Sequence, residues 1–140
     1  MSVDAVMDVL TRDLVYYRKS GGGVTFCGGE PTMQHGFLSS CLKACKKAGI
    51  HTAVDTCGQV NWKVLKELLP YVNLFLYDLK HMDSVRHREL TGVGNELILA
   101  NLQRINERGK PVWARVPLIP GYNDSSTNLK QLSAFVASLD

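Results

Sequence analysis

The stretch GGGVTFCGGEPTMQ, residues 21–34, decides the fold, and it contains five of the chain's twelve glycines. A short apolar segment, residues 24–27, runs directly into Gly-Gly-Glu-Pro, which predicts a strand followed by a tight turn. Glycines at the end of a strand allow a ligand or another segment to approach the backbone closely. The stretch therefore predicts a strand whose carboxyl end is a binding position.

Outward from this stretch, helical and strand-like patterns alternate along the chain. A helix is predicted over 3–18, capped by Ser2. Further strands are predicted at 50–56, 72–77 and 112–116, and further helices at 37–48, 61–69, 84–90, 95–109 and 126–139. Asn61 and Ser126 are the predicted caps of the helices that they begin. This alternation predicts an α/β fold with about four parallel strands and helical crossovers. Without a visible linker, residues 1–140 are predicted to form one domain.

The composition excludes several classes of protein. The net charge is only +3 and the basic residues are scattered, which does not favour a nucleic-acid partner. No apolar run reaches about 18 residues, and the first residues do not have the pattern of a signal peptide. We therefore expect a cytoplasmic chain without a membrane segment, whose four cysteines are thiols or ligands and not disulfides.

Polar residues and glycines stand at the ends of all four predicted strands. They are Gly28, Gly29 and Glu30 after the first strand, Asp55 and Thr56 at the end of the second, Asp78 and Lys80 after the third, and Arg115 near the end of the fourth. Each has an ordinary structural explanation as a cap, a turn residue or a surface ion pair. Since the carboxyl ends of parallel strands share one edge, the set as a whole predicts a common ligand site.

The mixture of acids, bases and exposed backbone suits a zwitterion. An amino-acid group needs acceptors for its ammonium, which a Gly-Gly turn and Glu30 or Asp55 can supply. Its carboxylate needs donors, for which Lys80 and Arg115 are candidates. A second hypothesis is that oxygen atoms of Asp55, Thr56 and Asp78 hold a hard cation.

Four motifs together resemble the glycyl-radical-enzyme activating enzymes of the radical S-adenosylmethionine (SAM) superfamily, the pyruvate formate-lyase activating type. They are GGGVTFCGGEP at 21–31, VDTCG at 54–58, DLKHMD at 78–83 and ARVPLIPGYND at 114–124. The resemblance runs from about Val3 to the end of the chain. It implies a TIM-like partial (β/α)₆ barrel that is open on one side to admit a protein loop.

The resemblance also implies how the cofactor SAM is bound by the first two motifs. Gly28, Gly29 and Glu30 match the motif whose backbone holds the methionyl ammonium. Asp55 and Thr56 match a motif that lines the same end of the cofactor.

The other two motifs imply the remaining contacts and the reaction. Asp78 and Lys80 match an Asp-x-Lys motif, with Lys80 near the carboxylate or the ribose, and Arg115 matches an arginine near the cofactor and the substrate loop. In the family a [4Fe-4S] cluster passes one electron to SAM, and the resulting 5′-deoxyadenosyl radical abstracts hydrogen from a glycine in a loop of a glycyl radical enzyme. Reduced flavodoxin or ferredoxin is the usual electron donor.

The sequence departs from this family at the cluster. Its Cys-x3-Cys-x2-Cys loop is absent: Cys41 and Cys45 have the first spacing, but position 48 is Ala48, and their helical pattern predicts two buried thiols. Cys27 and Cys57 flank the predicted site but are 30 residues apart. The four histidines show no metal spacing and are interpreted as ordinary polar residues.

We therefore expect the chain to be the central part of a longer barrel, truncated at both ends. The parent protein would carry the [4Fe-4S] cluster and generate the glycyl radical, whereas this part would carry most of the SAM-binding edge, bind SAM weakly and be inactive alone. Two alternatives remain. One is a cluster-free α/β lyase with Lys80 as Schiff-base former, and the other is a non-catalytic binding module.

Overall fold

The structure, a computed structural model, describes residues 1–139. Its elements in chain order are α1 Val3–Leu10, a 3-10 helix Thr11–Asp13, α2 Leu14–Ser20, β1 Gly23–Phe26, a 3-10 helix Pro31–Gln34, α3 His35–Lys47, β2 His51–Thr56, α4 Trp62–Leu68, a 3-10 helix Leu69–Tyr71, β3 Leu74–Asp78, α5 Ser84–Thr91, α6 Glu96–Asn106, β4 Val112–Arg115 and α7 Ser126–Ala137. The predicted α/β alternation is confirmed.

The strands form one parallel sheet in the order β1-β2-β3-β4. Neighbours in the sequence are neighbours in the sheet, so all four carboxyl ends lie at one edge, as predicted. The register pairs Asp78 of β3 with Arg115 of β4, and Thr56 of β2 with Tyr77 of β3. The carboxyl ends of the four strands therefore lie side by side, and their side chains are neighbours at this edge.

The core lies on one face of this sheet. Val54, Phe75 and Tyr77 are fully buried there, packed in one cluster with helix residues such as Leu65 and Leu102. Side chains alternate between the faces of a strand. The neighbouring residues of the same strands therefore point to the other face, where the polar site is built.

The other face carries Asp55, Leu76, Asp78, Trp113 and Arg115. The Trp113 side chain is 66% exposed although it lies in the middle of β4. This face therefore combines charged side chains with one exposed aromatic ring. We call it the inner face, since it would line a barrel formed by further strands.

The single helix predicted over 3–18 is wrong in detail. The helix is interrupted by the 3-10 turn Thr11–Asp13, where the Thr11 hydroxyl donates to the carbonyl of Met7 at 2.8 Å. A threonine that bonds the preceding turn competes with the regular helical ladder. The predicted cap is confirmed, because the Ser2 hydroxyl accepts from the backbone N–H of Ala5.

Two further predictions at helix ends had different outcomes. Asn61 caps α4 as its position suggests, accepting from Lys63 N–H at 2.9 Å. The cap of α7 is Ser125 and not Ser126, since the Ser125 hydroxyl accepts from Asn128 N–H. Two adjacent serines offer the same chemistry, and the pattern alone does not choose between them. In residues 1–139 we find no helix with the length and apolarity of a bilayer span.

Candidate ligand-binding site at the carboxyl edge

Glu30 connects the loop after β1 to the end of β2. Its Oε1 accepts from the Thr56 hydroxyl at 2.7 Å and from the Thr32 hydroxyl at 2.7 Å, and its Oε2 accepts from Cys57 N–H at 2.9 Å. Oε1 also accepts from Thr32 N–H and so caps the 3-10 helix that follows. Burial acts to raise the pKa of Glu30, but these hydrogen bonds outweigh it and hold the pKa below its ordinary value.

The hydrogen bonds to the Glu30 carboxylate hold the end of the turn that precedes it. Gly28 and Gly29 have φ values of +102° and +52°, which only glycine adopts easily. A Cβ added at either position would meet no other atom within 4 Å. The turn is therefore held from one side by Glu30 and has open space where side chains would stand, and its contact with a ligand stays a prediction.

Asp55, Asp78 and Arg115 form an ion cluster on the inner face, across three adjacent strands. Arg115 Nη2 lies 2.5 Å from Asp55 Oδ1 and 2.7 Å from Asp78 Oδ1, and Arg115 Nε donates to the same Asp78 oxygen at 3.1 Å. The hydrogen bonds to Asp78, together with those to Asp55, raise the pKa of Arg115 although its partial burial acts against this. The predicted gathering of these three residues at one edge is present in the structure.

Lys80 extends the cluster towards the rim. Its Nζ lies 3.5 Å from Asp78 Oδ2, and its side chain is 34% exposed. The backbone carbonyl of Lys80 accepts from the buried Asn123 side chain at 2.9 Å, and Asn123 also donates to Pro117. Asn123 thereby ties the loop after β4 to the loop after β3, a role that its place in the motif at 114–124 did not reveal.

Thr56 does not join the two aspartates through its side chain. It lies on the core face, is 2% exposed, and its hydroxyl donates to Glu30 and accepts from Gly58 N–H at 2.9 Å. Among the residues described, no group of three histidine, cysteine or acidic side chains is arranged to hold a metal ion. The Thr56 side chain therefore lies on the other face from Asp55 and Asp78, and the cation site of Asp55, Thr56 and Asp78 stays a prediction.

The cysteines do not form a set that fits an iron–sulfur cluster. Cys41 and Cys45 are fully buried on α3, which confirms the predicted pair of core thiols. Burial raises the pKa of Cys45 to about 11, so this thiol is protonated and a poor ligand. Cys27 is exposed after β1, and Cys57 is partly buried after β2. The described part of the chain thus offers no three thiolates in one loop.

One histidine differs from its sequence interpretation as an ordinary polar residue. His87 is 3% exposed, and its Nδ1 lies 2.7 Å from the carbonyl of Val93. A carbonyl accepts only from an N–H, so Nδ1 carries the proton. His87 thus connects α5 to the loop that follows it. The spacing of the histidines in the sequence does not indicate that this one is buried.

Gly58, in the motif VDTCG, is required by the core. Its φ is +71°, and a Cβ at this position would overlap the Tyr77 ring and hydroxyl. Tyr77 is fully buried and donates to the carbonyl of Ile98 at 2.7 Å, so it cannot move away. This glycine therefore shapes the loop after β2 for packing and not for contact with a ligand.

The parallel sheet thus carries a glycine turn after β1 and an ion cluster across β2, β3 and β4. Residues 1–131 match the Radical SAM superfamily. The chain therefore belongs to the radical SAM superfamily.

Two curated relatives indicate which radical SAM proteins this chain is similar to. The chain is 47% identical over 135 residues to the choline trimethylamine-lyase activating enzyme of Oleidesulfovibrio alaskensis, covering 96% of this chain and 44% of that protein. It is 41% identical over 137 residues to the 4-hydroxyphenylacetate decarboxylase activating enzyme of Clostridioides difficile, covering 96% and 43%. The chain thus spans less than half the length of these relatives.

Solved structures are similar in fold. A domain of pyruvate-formate lyase-activating enzyme from Bacteroides vulgatus superimposes with a TM-score of 0.78 at 45% identity, covering 84% of this chain and 73% of that chain. SuiB of Streptococcus suis, bound to precursor peptide SuiA, superimposes with a TM-score of 0.76 at 23% identity, over 99% of this chain and 30% of that one. The second match shows the fold alone.

Proposed function

We propose that the protein to which this chain belongs generates a glycyl radical on a partner enzyme, with SAM and a [4Fe-4S] cluster as cofactors. The observation that carries the proposal is the arrangement at the carboxyl edge, where an open Gly28-Gly29 turn lies at one end and the cluster of Asp55, Asp78 and Arg115 at the other. The similarity to proteins named as activating enzymes supports the reaction class.

The residues present suit the amino-acid end of SAM. Carbonyls of the Gly28-Gly29 turn would accept from its ammonium, in a turn that has open space where a side chain would stand. Lys80 would hold its carboxylate, because the Lys80 side chain is 34% exposed and its Nζ has only a long contact with Asp78. When bound, SAM would supply a carbon-centred radical that can abstract hydrogen.

Arg115 and the two aspartates would position the nucleoside. Arg115 is held by hydrogen bonds from both sides, so its guanidinium is fixed before a ligand arrives. The side chains of Asp55 and Asp78 are about three-quarters buried, with 25% and 24% exposed, and each keeps an oxygen that Arg115 does not bind. Those oxygens are acceptors for ribose hydroxyls or for a cation shared with the ligand.

No step through the cluster is assigned to this chain, since its cysteines do not fit one. The cluster, reduced by flavodoxin or ferredoxin, belongs in this proposal to another part of the protein. The partner's glycine loop would approach over the inner face, where Trp113 is exposed. The proposal places the protein in the cytoplasm, where thiols and clusters stay reduced.

Direct binding tests the proposal. We expect SAM to bind the purified protein in equilibrium dialysis without added reductant, so that the cofactor is not consumed. Methionine and adenosine, each half of the molecule, should compete weakly. If the whole protein takes up SAM no better than it takes up adenosine, the proposed function is wrong.

The lyase alternative gains no support. A Schiff-base lysine is activated by apolar surroundings or by another cation, whereas Lys80 is partly exposed and faces the carboxylate of Asp78. Borohydride trapping with simple aldehydes or ketones should therefore leave Lys80 unmodified.

A further inference from the structure

A cavity of about 490 Å³ opens at the amino edge of the sheet, at the opposite end of the strands from the proposed SAM site. It lies between the end of α3, the segment before β3 and the loop before β4, and His51 at the start of β2 belongs to its wall. From His51 to Thr56 at the carboxyl edge, β2 spans about 17 Å at a rise of about 3.3 Å per residue. We call this space the amino-edge cavity.

The wall of the amino-edge cavity carries positive charge and hydrogen-bond donors, and no acidic side chain among the residues described belongs to it. Its charged residues are Lys46 and Lys110, and its other polar side chains are those of His51, Tyr71 and Asn73. None of the ion pairs within residues 1–139 involves either lysine. Positive charge of this kind attracts anions, because the walls of a cavity focus the electric field.

The two lysines are held by one short segment of backbone. Lys46 Nζ donates to the carbonyl of Pro70 at 2.9 Å, and Lys110 Nζ donates to the carbonyl of Val72 at 3.1 Å. A carbonyl does not neutralise an ammonium, and an ammonium with three N–H donors keeps two of them for a ligand. Both charges are therefore positioned before a ligand arrives, which lowers the cost of binding.

The position of Lys46 is not explained by the end of its helix. A lysine in the last turn of a helix often bonds the free carbonyls there. At the end of α3, the carbonyls of Cys45 and Lys46 already accept from the N–H groups of Ile50 at 2.9 Å and Gly49 at 3.1 Å. The Lys46 ammonium is directed instead to the segment that borders the amino-edge cavity.

The Tyr71 ring gathers a further positive charge at this edge. The ammonium groups of Lys43 and Lys46 lie 5.4 Å and 5.6 Å from the centroid of the ring, within the range of cation–π contacts. Two like charges on one ring repel each other, and a bound anion would relieve this repulsion. The arrangement therefore favours an occupant with negative charge.

Asn73 adds a neutral donor to the wall of the cavity. Its Oδ1 accepts from the backbone N–H of Thr52 at 3.0 Å, and its own backbone N–H donates to the carbonyl of Thr52 at 3.0 Å. These two bonds fix the side chain and occupy its acceptor on the side of β2. The NH₂ group is the part of the amide that remains for a ligand.

The donors and the size of the cavity indicate the class of ligand. Phosphate oxygens accept several charge-assisted hydrogen bonds at once, and lysine is a common phosphate-binding residue. Small-molecule sites have volumes of about 300–1,000 Å³, a range that includes this cavity. Because the donors come from three segments around one cavity and are not spread along a surface, a small molecule fits them better than an acidic protein segment does.

We propose that the amino-edge cavity is a second binding site, which takes a small molecule with a phosphate or diphosphate group. Lys46 and Lys110 bind the phosphate oxygens, and the Asn73 amide donates to the same group. This inference goes beyond the proposed function and does not rest on it, since the two sites lie at opposite ends of the strands.

The test uses inorganic pyrophosphate as the probe and calorimetry on the purified protein. Lys46→Gln and Lys110→Gln remove the positive charge but keep an N–H donor for the carbonyls of Pro70 and Val72. Lys63→Gln, at an exposed position on α4, removes one charge away from the cavity and is the matched control. Acetylation of lysines by acetic anhydride, located by mass spectrometry with and without pyrophosphate, reports where the probe binds to the unmodified protein.

We expect Lys46→Gln and Lys110→Gln each to weaken pyrophosphate binding about tenfold, the scale of one hydrogen bond to a charged group. Lys63→Gln should bind pyrophosphate like the unmodified protein. Pyrophosphate should slow the acetylation of Lys46 and Lys110 but not that of Lys63 or Lys80. Added SAM should leave the affinity for pyrophosphate unchanged.

Other results contradict the inference in separate ways. If pyrophosphate does not bind, or if all three variants lose affinity equally, the cavity is not a specific phosphate site. If pyrophosphate protects Lys80 in place of Lys46 and Lys110, the probe binds at the carboxyl edge. If a poly-aspartate peptide protects Lys46 and Lys110 and pyrophosphate does not, the cavity binds an acidic protein segment and the proposed ligand class is wrong. A failure of SAM to bind, by contrast, overturns the proposed function alone.

Discussion

Asp55 and Arg115, 60 residues apart in the sequence, are joined across β3 by a 2.5 Å hydrogen bond. Arg115 belongs to β4 and Asp55 to β2, and Asp78 on the strand between them binds the same guanidinium. Without the arginine, Asp55 would lose its ion-pair partner, and Asp78 would keep only the long contact with Lys80 at 3.5 Å. The ion cluster therefore contributes both to the fold and to the proposed site.

The first prediction concerns this arginine. Arg115→Ala should reduce the free energy of unfolding by about 1–2 kcal/mol, a value kept low because the side chain is 40% exposed and screened by solvent. Urea denaturation measures the change. Arg12→Ala, at an exposed position without an ion pair among the described residues, is the control and should change the stability by less than about 0.5 kcal/mol. If Arg115→Ala is as stable as Arg12→Ala, the ion cluster does not stabilise the fold.

The second prediction concerns Glu30 and pH. The pKa of Glu30 lies below its ordinary value of 4.5, because hydrogen bonds to its carboxylate outweigh burial. A carboxyl group whose pKa is lowered by folding stabilises the fold above its unfolded pKa, and this stabilisation is lost as the pH falls through the folded pKa. Glu30→Gln should therefore be less stable by about 1–2 kcal/mol at pH 7 and should approach the unmodified protein below about pH 4.

Thermal melts of both proteins from pH 7 to pH 3 measure this convergence. Glu67→Gln, an exposed position on α4, is the matched control and should follow the unmodified protein at every pH. A difference between Glu30→Gln and the unmodified protein that stays constant across the range would mean that the charge of Glu30 has no part in holding the loops.

The sequence predicts the sheet well because its signals are local. Each strand is an apolar run between turn residues, and consecutive parallel strands with helical crossovers leave little choice of topology. The edge that carries Asp55, Asp78 and Arg115 followed from the same argument. The break in the first helix at Thr11–Asp13 was not predicted, since it depends on where one hydroxyl finds its partner.

The site was harder to predict in its contacts than in its members. Glu30 and Thr56 were predicted as ligand-facing residues, but they bond each other at 2.7 Å and hold two loops together. Asn123 gave no signal, because asparagine is common in exposed loops and only the packing shows which side chains are buried. Such assignments depend on distances between segments that are far apart in the chain.

The third prediction concerns Lys80. Lys80→Ala should weaken SAM binding by about 1–3 kcal/mol, because the ligand carboxylate loses its charged donor. Stability should change little, since the contact with Asp78 is long at 3.5 Å and partly exposed. Calorimetry in low and high salt measures the affinity, and the variant should also lose much of its salt dependence.

Lys63→Ala, at an exposed position on α4, controls for the loss of one positive charge from the whole protein. It should bind SAM with unchanged affinity. If Lys80→Ala and Lys63→Ala lose equal affinity for SAM, the effect of Lys80 is long-range electrostatic attraction. The proposed direct contact between Lys80 and the SAM carboxylate would then be wrong.

The last prediction separates two glycines that stand in neighbouring motifs. Gly58→Ala should cost about 2–5 kcal/mol of stability, because its Cβ would overlap the buried Tyr77 and its φ of +71° strains any side chain. Gly28→Val should cost only about 1–3 kcal/mol, the strain of its φ of +102°, since no protein atom lies within 4 Å of its Cβ position. The larger effect of Gly28→Val should be on SAM, whose approach to the backbone the new side chain would block. Chemical denaturation and SAM binding on both variants distinguish packing from binding, and a folded Gly28→Val that binds SAM normally would exclude the glycine turn from the site.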